Sequence, residues 1–152
     1  MTVLYHYTLV FHLPQILRSG YINVTESNIS AGREHAGPDV VWLTAANTAD
    51  RSGGWYTGSH VDKTAVRITV DVPEREVYRW TEWAPRHGCS ARTMAALRRV
   101  KGGNSWRVVA RRVQCEEWKE IVVSRGFKDG EVRKGVTRVD AFGRRLDFDV
   151  IG

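Results

Sequence analysis

The stretch Thr64–Val72, TAVRITVDV, most constrains what this chain can fold into. Its apolar residues fall at every second position, and Pro73 follows. That period belongs to a strand with one buried face, and a proline cannot continue a sheet ladder. A strand of this kind needs partners, and the sequence supplies candidates. Val3–Thr8 alternates, with Val3, Tyr5 and Tyr7 on one face and Leu4, His6 and Thr8 on the other. VVWLT (40–44), VYRWTEW (77–83), Trp106–Val113 and Trp118–Ser124 read as further strands. Glycines and short apolar alternations over residues 125–150 suggest a terminal hairpin or two.

Helices fit in two places. In LPQILRSG, Pro14 suits a first turn and Gly20 a position just past the last. Ser90 suits the N-cap of a helix over Ala91–Val100, with Met94 and Leu97 inward and Gly102 as the stop. Residues 23–39 and 51–60 read as loops. The sum is a strand-rich α+β fold, expected as one domain over residues 1–152.

Charge narrows the partners. The net charge is +6, and between Arg79 and Arg112 nine basic residues stand against one acid, Glu82. Such a stretch, with Arg92, Arg98, Arg99 and Lys101 at its centre, can neutralise phosphates and release counterions. A solvated basic face is the plain alternative. No run of about 18 apolar residues predicts a membrane span. No secretory signal is visible, and with only Cys89 and Cys115 present, reduced thiols and a cytoplasmic chain are expected. No metal site is expected: the two cysteines are too few, and His6 and His12 fall on different elements. Dinucleotide glycine motifs, a P-loop lysine and HExxH are absent.

Two polar groups stand out against apolar strands. His6 lies inside LYHYT, and Glu120 opens the run EIVVS. A lone strand histidine is usually a satisfied core residue. A carboxylate at the mouth of an apolar strand is costly unless it is paired or functional. By alternation Trp118, Glu120 and Val122 share a face, whereas Glu116 and Glu117 precede the apolar run. Pairing of Glu120 with Arg67 or Arg107 across a sheet is the structural alternative.

The order LYHYT…LPQILRSGYI, then VVWLT, then KEIVV, resembles the ADP-ribosyltransferase superfamily in its His–aromatic–Glu branch. The opening is most similar to the DarT-type toxins that modify DNA. The resemblance covers residues 3–44 and 114–124 and departs from the family pattern at two points. Trp42 stands where a tyrosine is usual, and Tyr7 where glycine is frequent.

The resemblance implies a small split antiparallel sheet core with two or three short helices, binding NAD+ as co-substrate. His6 would bond a ribose, the Tyr7 main chain would meet the carboxamide, and Thr8 would touch the adenosine side. Trp42 would pack on the nicotinamide region, with Thr44 of the same strand among the cofactor contacts. Glu120 would bind the reacting ribose and stabilise its developing charge. Arg33 and Arg51, matched by no motif, are candidates for the pyrophosphate because it needs donors.

The expected activity is transfer of ADP-ribose to a macromolecule, with a nucleic-acid base, DNA first, as acceptor and a monomeric enzyme. Protein side chains are an alternative acceptor. Two further readings stand beside this one: an NAD+ glycohydrolase toxin, and a nucleic-acid-binding module of the same fold without catalysis.

Overall fold

The computed structural model describes residues 1–25, 38–46, 65–98, 103–124, 136–139 and 145–149. In chain order the elements begin with β1 (Thr2–Thr8), α1 (Leu13–Ser19), β2 (Tyr21–Ile22), β3 (Val41–Thr44) and β4 (Val66–Val72). They continue with β5 (Tyr78–Arg79), α2 (Trp80–Arg86), α3 (Ala91–Arg98) and β6 (Trp106–Val109). β7 (Val113–Gln114), β8 (Trp118–Ser124), β9 (Val136–Val139) and β10 (Arg145–Asp149) complete them. Eight strands form one sheet in the order β10-β9-β8-β4-β1-β3-β6-β5, and β2 pairs with β7 in a small second sheet. These pairings are antiparallel. The fold is mixed α and β, with short helices on an antiparallel sheet.

The alternation of β4 fixes the sheet's two faces. Val66, Ile68, Val70 and Val72 are wholly buried and join Leu4, Leu43 and Ile121 in the main core. Leu13 of α1 enters this core, and Ile16 and Leu17 pack against it. Gly20 closes α1 at φ 76°, with its N–H on the Ile16 carbonyl. That left-handed turn is one that glycine adopts without steric cost. A second cluster lies on the opposite face, over β3 and β6. There Trp80, Trp83 and Ala84 of α2 and Met94 of α3 meet Val40, Trp106 and Val108.

Three sequence expectations change. VYRWTEW pairs as a strand only at Tyr78–Arg79, and the rest turns into α2. Trp80, Trp83 and Ala84 recur at helical spacing and bury one stripe, which outweighs the aromatic preference for strands. Trp106–Val113 is broken after Val109, so that Val113–Gln114 can pair with β2. In β8, Trp118 and Glu120 do not share a face. Thr69 pairs with Glu120 but Val70 pairs with Trp118, so Lys119 is surplus and forms a β-bulge. Trp118 thereby enters the main core while Glu120 stays on the other face.

Candidate functional site

Cross-strand register assembles a row of residues on the face opposite the main core. Glu120 pairs with Thr69, Thr69 with Tyr5, Tyr5 with Thr44, and Thr44 with Trp106. Directly paired residues project to the same side of a sheet, with Cβ atoms about 4.5–5.5 Å apart. The row therefore runs along one face of the sheet from a carboxylate, through two hydroxyls and a phenol, to an indole, with Thr69, Thr44 and Trp106 buried.

Arg67 and Tyr7 form the next row on the same face. The Arg67 guanidinium lies 3.7 Å from a Glu120 carboxylate oxygen and 5.5 Å from the centre of the Tyr5 ring. Glu120 and Arg67 are about a third and a quarter exposed, at 32% and 24%. The pairing of Glu120 with Arg67 that the sequence allows is thus formed. Arg107 instead donates to the Asn104 and Trp106 carbonyls.

Two predicted cofactor residues on this face have structural ties. The Tyr7 hydroxyl donates to the Ala46 carbonyl at 3.3 Å, and the Thr44 hydroxyl accepts from the Ala46 N–H at 3.1 Å. Both side chains are buried and hold the turn that follows β3. Trp42 is half-buried, 5.6 Å from Trp80 and 6.0 Å from Trp106 between ring centres. Its ring is braced by aromatic neighbours, in the edge-to-face and tilted geometries that favour such pairs.

His6 and Thr8 project from the other face. His6 pairs with Ile68, and Ile68 with Ile121 of the main core. The His6 Nδ1 sits 2.9 Å from the Trp42 main-chain oxygen. A carbonyl only accepts, so Nδ1 carries the proton. Burial lowers the His6 pKa, the Trp42 carbonyl opposes that, and the nearby His12 adds to it. Thr8 Oγ1 bonds His12 Nδ1 at 3.2 Å.

The expectation that His6 and Glu120 converge on one cavity is therefore corrected. They leave opposite faces of the sheet, two strands apart, which is roughly 9–10 Å of lateral separation. The physical reason is register: Glu120 aligns with Tyr5, one residue from His6, and one residue reverses the face.

Glu117, the other candidate carboxylate, is fully engaged. Arg111 donates to both of its oxygens, at 2.6 and 3.0 Å, and the Gln114 N–H adds a bond at 2.9 Å. Those bonds, above all the Arg111 hydrogen bonds, hold its carboxyl below the usual range. Arg111 also grips Glu76 through Nε at 2.7 Å. Glu117 is a structural clasp.

Of the predicted phosphate-binding residues, Arg92 is exposed near the start of α3, and Arg98 is the last residue of that helix. Arg33, Arg51, Arg99 and Lys101 lie outside the described residues. Cys89 and Cys115 are free thiols. Among the described residues no group of His, Cys, Asp and Glu could hold a metal ion, and no helix is long and apolar enough to cross a membrane.

Sequence reasoning missed Tyr5 and Thr69 as members of the row. The signal was present in TAVRITVDV, whose polar residues Arg67, Thr69 and Asp71 all fall on the face that is not apolar. Comparison with protein-family models, with curated proteins and with solved structures finds no match to this chain.

Proposed function

We propose that this chain is an NAD+-dependent ADP-ribosyltransferase whose catalytic carboxylate is Glu120, with a nucleic-acid base, DNA first, as acceptor. The observation that carries this reading is the row Glu120–Thr69–Tyr5 beside Arg67. It places a partly exposed, cation-held carboxylate among hydroxyls on one face. The half-buried Trp42 farther along that face offers a ring for a planar group. The resemblance of the Glu120 segment to the superfamily supports the same reading, whereas His6, on the far face, departs from what that resemblance implies.

The chemistry follows from a fixed negative charge. The bond between the ribose C1′ and the nicotinamide nitrogen breaks, and its electron pair leaves with nicotinamide. Positive charge then builds on the sugar, as it does in glycoside hydrolysis. A carboxylate aimed at that charge grips the transition state more strongly than the ground state. The acceptor nitrogen or oxygen attacks C1′ and gives up its proton, and Glu120 is placed to take it as a base. His6, on the far face, serves by bonding the Trp42 main chain, which positions β3 against β1. It is a positioning residue in this reading and touches no substrate.

The contact between Arg67 and Glu120 also favours a second reading, in which the pair serves the sheet alone and the chain binds nucleic acid without catalysis. One experiment separates the two. The protein is incubated with labelled NAD+ and separate pools of DNA, RNA and protein. Transfer of label to DNA with nicotinamide release is the expected result. Free ADP-ribose as the sole product would make the protein a glycohydrolase, and untouched NAD+ would leave the binding module. Glu120→Gln lowers nicotinamide release about 10²–10³-fold while NAD+ still binds; full turnover by that variant removes Glu120 from the reaction.

A further inference from the structure

Thr69 stands between Tyr5 and Glu120 in the row and is only 8% exposed. Its Oγ1 is buried and has no hydrogen-bond partner among the described residues. The next residue on the same face of β4, Asp71, also has a buried oxygen, Oδ1, without one. A buried hydroxyl with nothing to bond destabilises a fold relative to a methyl group of the same shape. Valine suits a strand as well as threonine does, and β4 uses it at positions 66, 70 and 72. Packing therefore gives no reason for a hydroxyl at position 69. A ligand with polar atoms would.

The neighbours define that ligand's chemistry. An ionised Glu120 only accepts hydrogen bonds, a hydroxyl both donates and accepts, and Arg67 only donates. Neighbouring hydroxyls of a sugar complement such a set, because each can give one bond and take another. Thr69 and Glu120 are direct cross-strand partners, close enough for their side chains to reach two hydroxyls of one ring.

We propose that Thr69 is a substrate-contacting residue, its hydroxyl bonding one hydroxyl of the nicotinamide ribose while Glu120 holds the other. This inference rests on the proposed function and names a second anchor for the same sugar. The hydroxyl is closed off from solvent in the free protein, so the substrate bonds it only as the side chains over it give way.

The test uses the full chain carrying Thr69→Val or Thr69→Ser. In Thr69→Val the urea midpoint stays level or rises, because the lost group had no partner. Its Kd for NAD+ rises about three- to tenfold, the worth of one hydrogen bond. Thr69→Ser, which keeps the hydroxyl, binds NAD+ as the wild type does. An NAD+ analogue lacking one nicotinamide-ribose hydroxyl loses affinity for the wild type and loses less for Thr69→Val.

Equal NAD+ affinity of wild type and Thr69→Val overturns this inference alone and leaves Glu120 in place. A lowered urea midpoint with unchanged affinity makes Thr69 a packing residue. A wild type that binds no NAD+ overturns the proposed function and this inference together.

Discussion

The His6 imidazole donates from Nδ1 to the main-chain oxygen of Trp42 across 2.9 Å, tying β1 to β3. Among the described residues the ladder between those strands is the single pair Tyr5–Thr44, so a side chain supplements a short main-chain junction. Replacing His6 by Ala leaves the Trp42 oxygen without this bond and costs about 1–3 kcal/mol of stability. Chemical denaturation of the variant measures it.

The same residue gives a pH dependence. The folded-state pKa of His6 lies below 6.5, so the unfolded chain binds a proton there that the folded chain refuses. Its stabilising contribution is complete above about pH 6.5 and falls as the pH drops from there to the folded-state pKa. The slope is at most about 1.4 kcal/mol per pH unit. Unfolding free energies of wild type and His6→Gln between pH 8 and pH 5 should converge as the pH falls.

Arg67 holds Glu120 from the neighbouring strand. At their degree of exposure the pair contributes only about 0–1 kcal/mol to stability. Arg67→Met should therefore fold well; under the proposed function it should keep NAD+ binding and lose nicotinamide release, with part of it recovered by Arg67→Lys. A variant with full turnover would leave Glu120 positioned by other groups.

Arg111 joins Glu76 to Glu117 and so fastens two separate 3₁₀ turns. Arg111→Met should destabilise by about 1–3 kcal/mol, toward the lower end because the group is partly exposed. The depressed carboxyl of Glu117 contributes stability above about pH 4.5, which is lost as the pH falls through its folded-state value. Acid denaturation of the variant, compared with wild type, reads this directly.

Arg79 and Arg107 face each other in register at the edge of the sheet. Like charges directly opposite are unfavourable, and burial followed by the Arg79 charge lowers the Arg107 pKa. Arg79→Glu should raise stability by about 0.5 kcal/mol and weaken retention on a DNA column, mainly at low salt. Unchanged retention would exclude this edge from an acceptor surface.

Local chemistry made several elements legible in the sequence. Pro14 and Gly20 bracket α1 because one fits a helix start and the other a left-handed exit. Trp118–Ser124 appears with its predicted bounds, because Trp118 follows the acidic pair Glu116–Glu117 and the apolar run IVV lies within it. α2 was hidden, since Trp80 and Trp83 suit a strand by residue type and a helix by spacing. Only burial against Trp106 and Val108 decides between them.

The site was legible in part for a related reason. Alternation placed the residues of β1 on their two faces correctly. It could not align β8 with β4, because register between distant strands depends on long-range pairing and on an irregularity no local pattern announces. His6 and Glu120 were therefore paired in the sequence reading and are separated by the sheet in the fold.

The bulge at Lys119 has one more effect. Were Lys119 instead paired in a regular strand, Trp118 and Glu120 would share a face and a choice would be forced on the chain. Either the indole of Trp118 would be expelled into water, or everything from Glu120 onward would turn over and drive a negative charge into hydrocarbon. Spacing at one point of the backbone, more than the identity of any side chain, keeps this acid out of the interior.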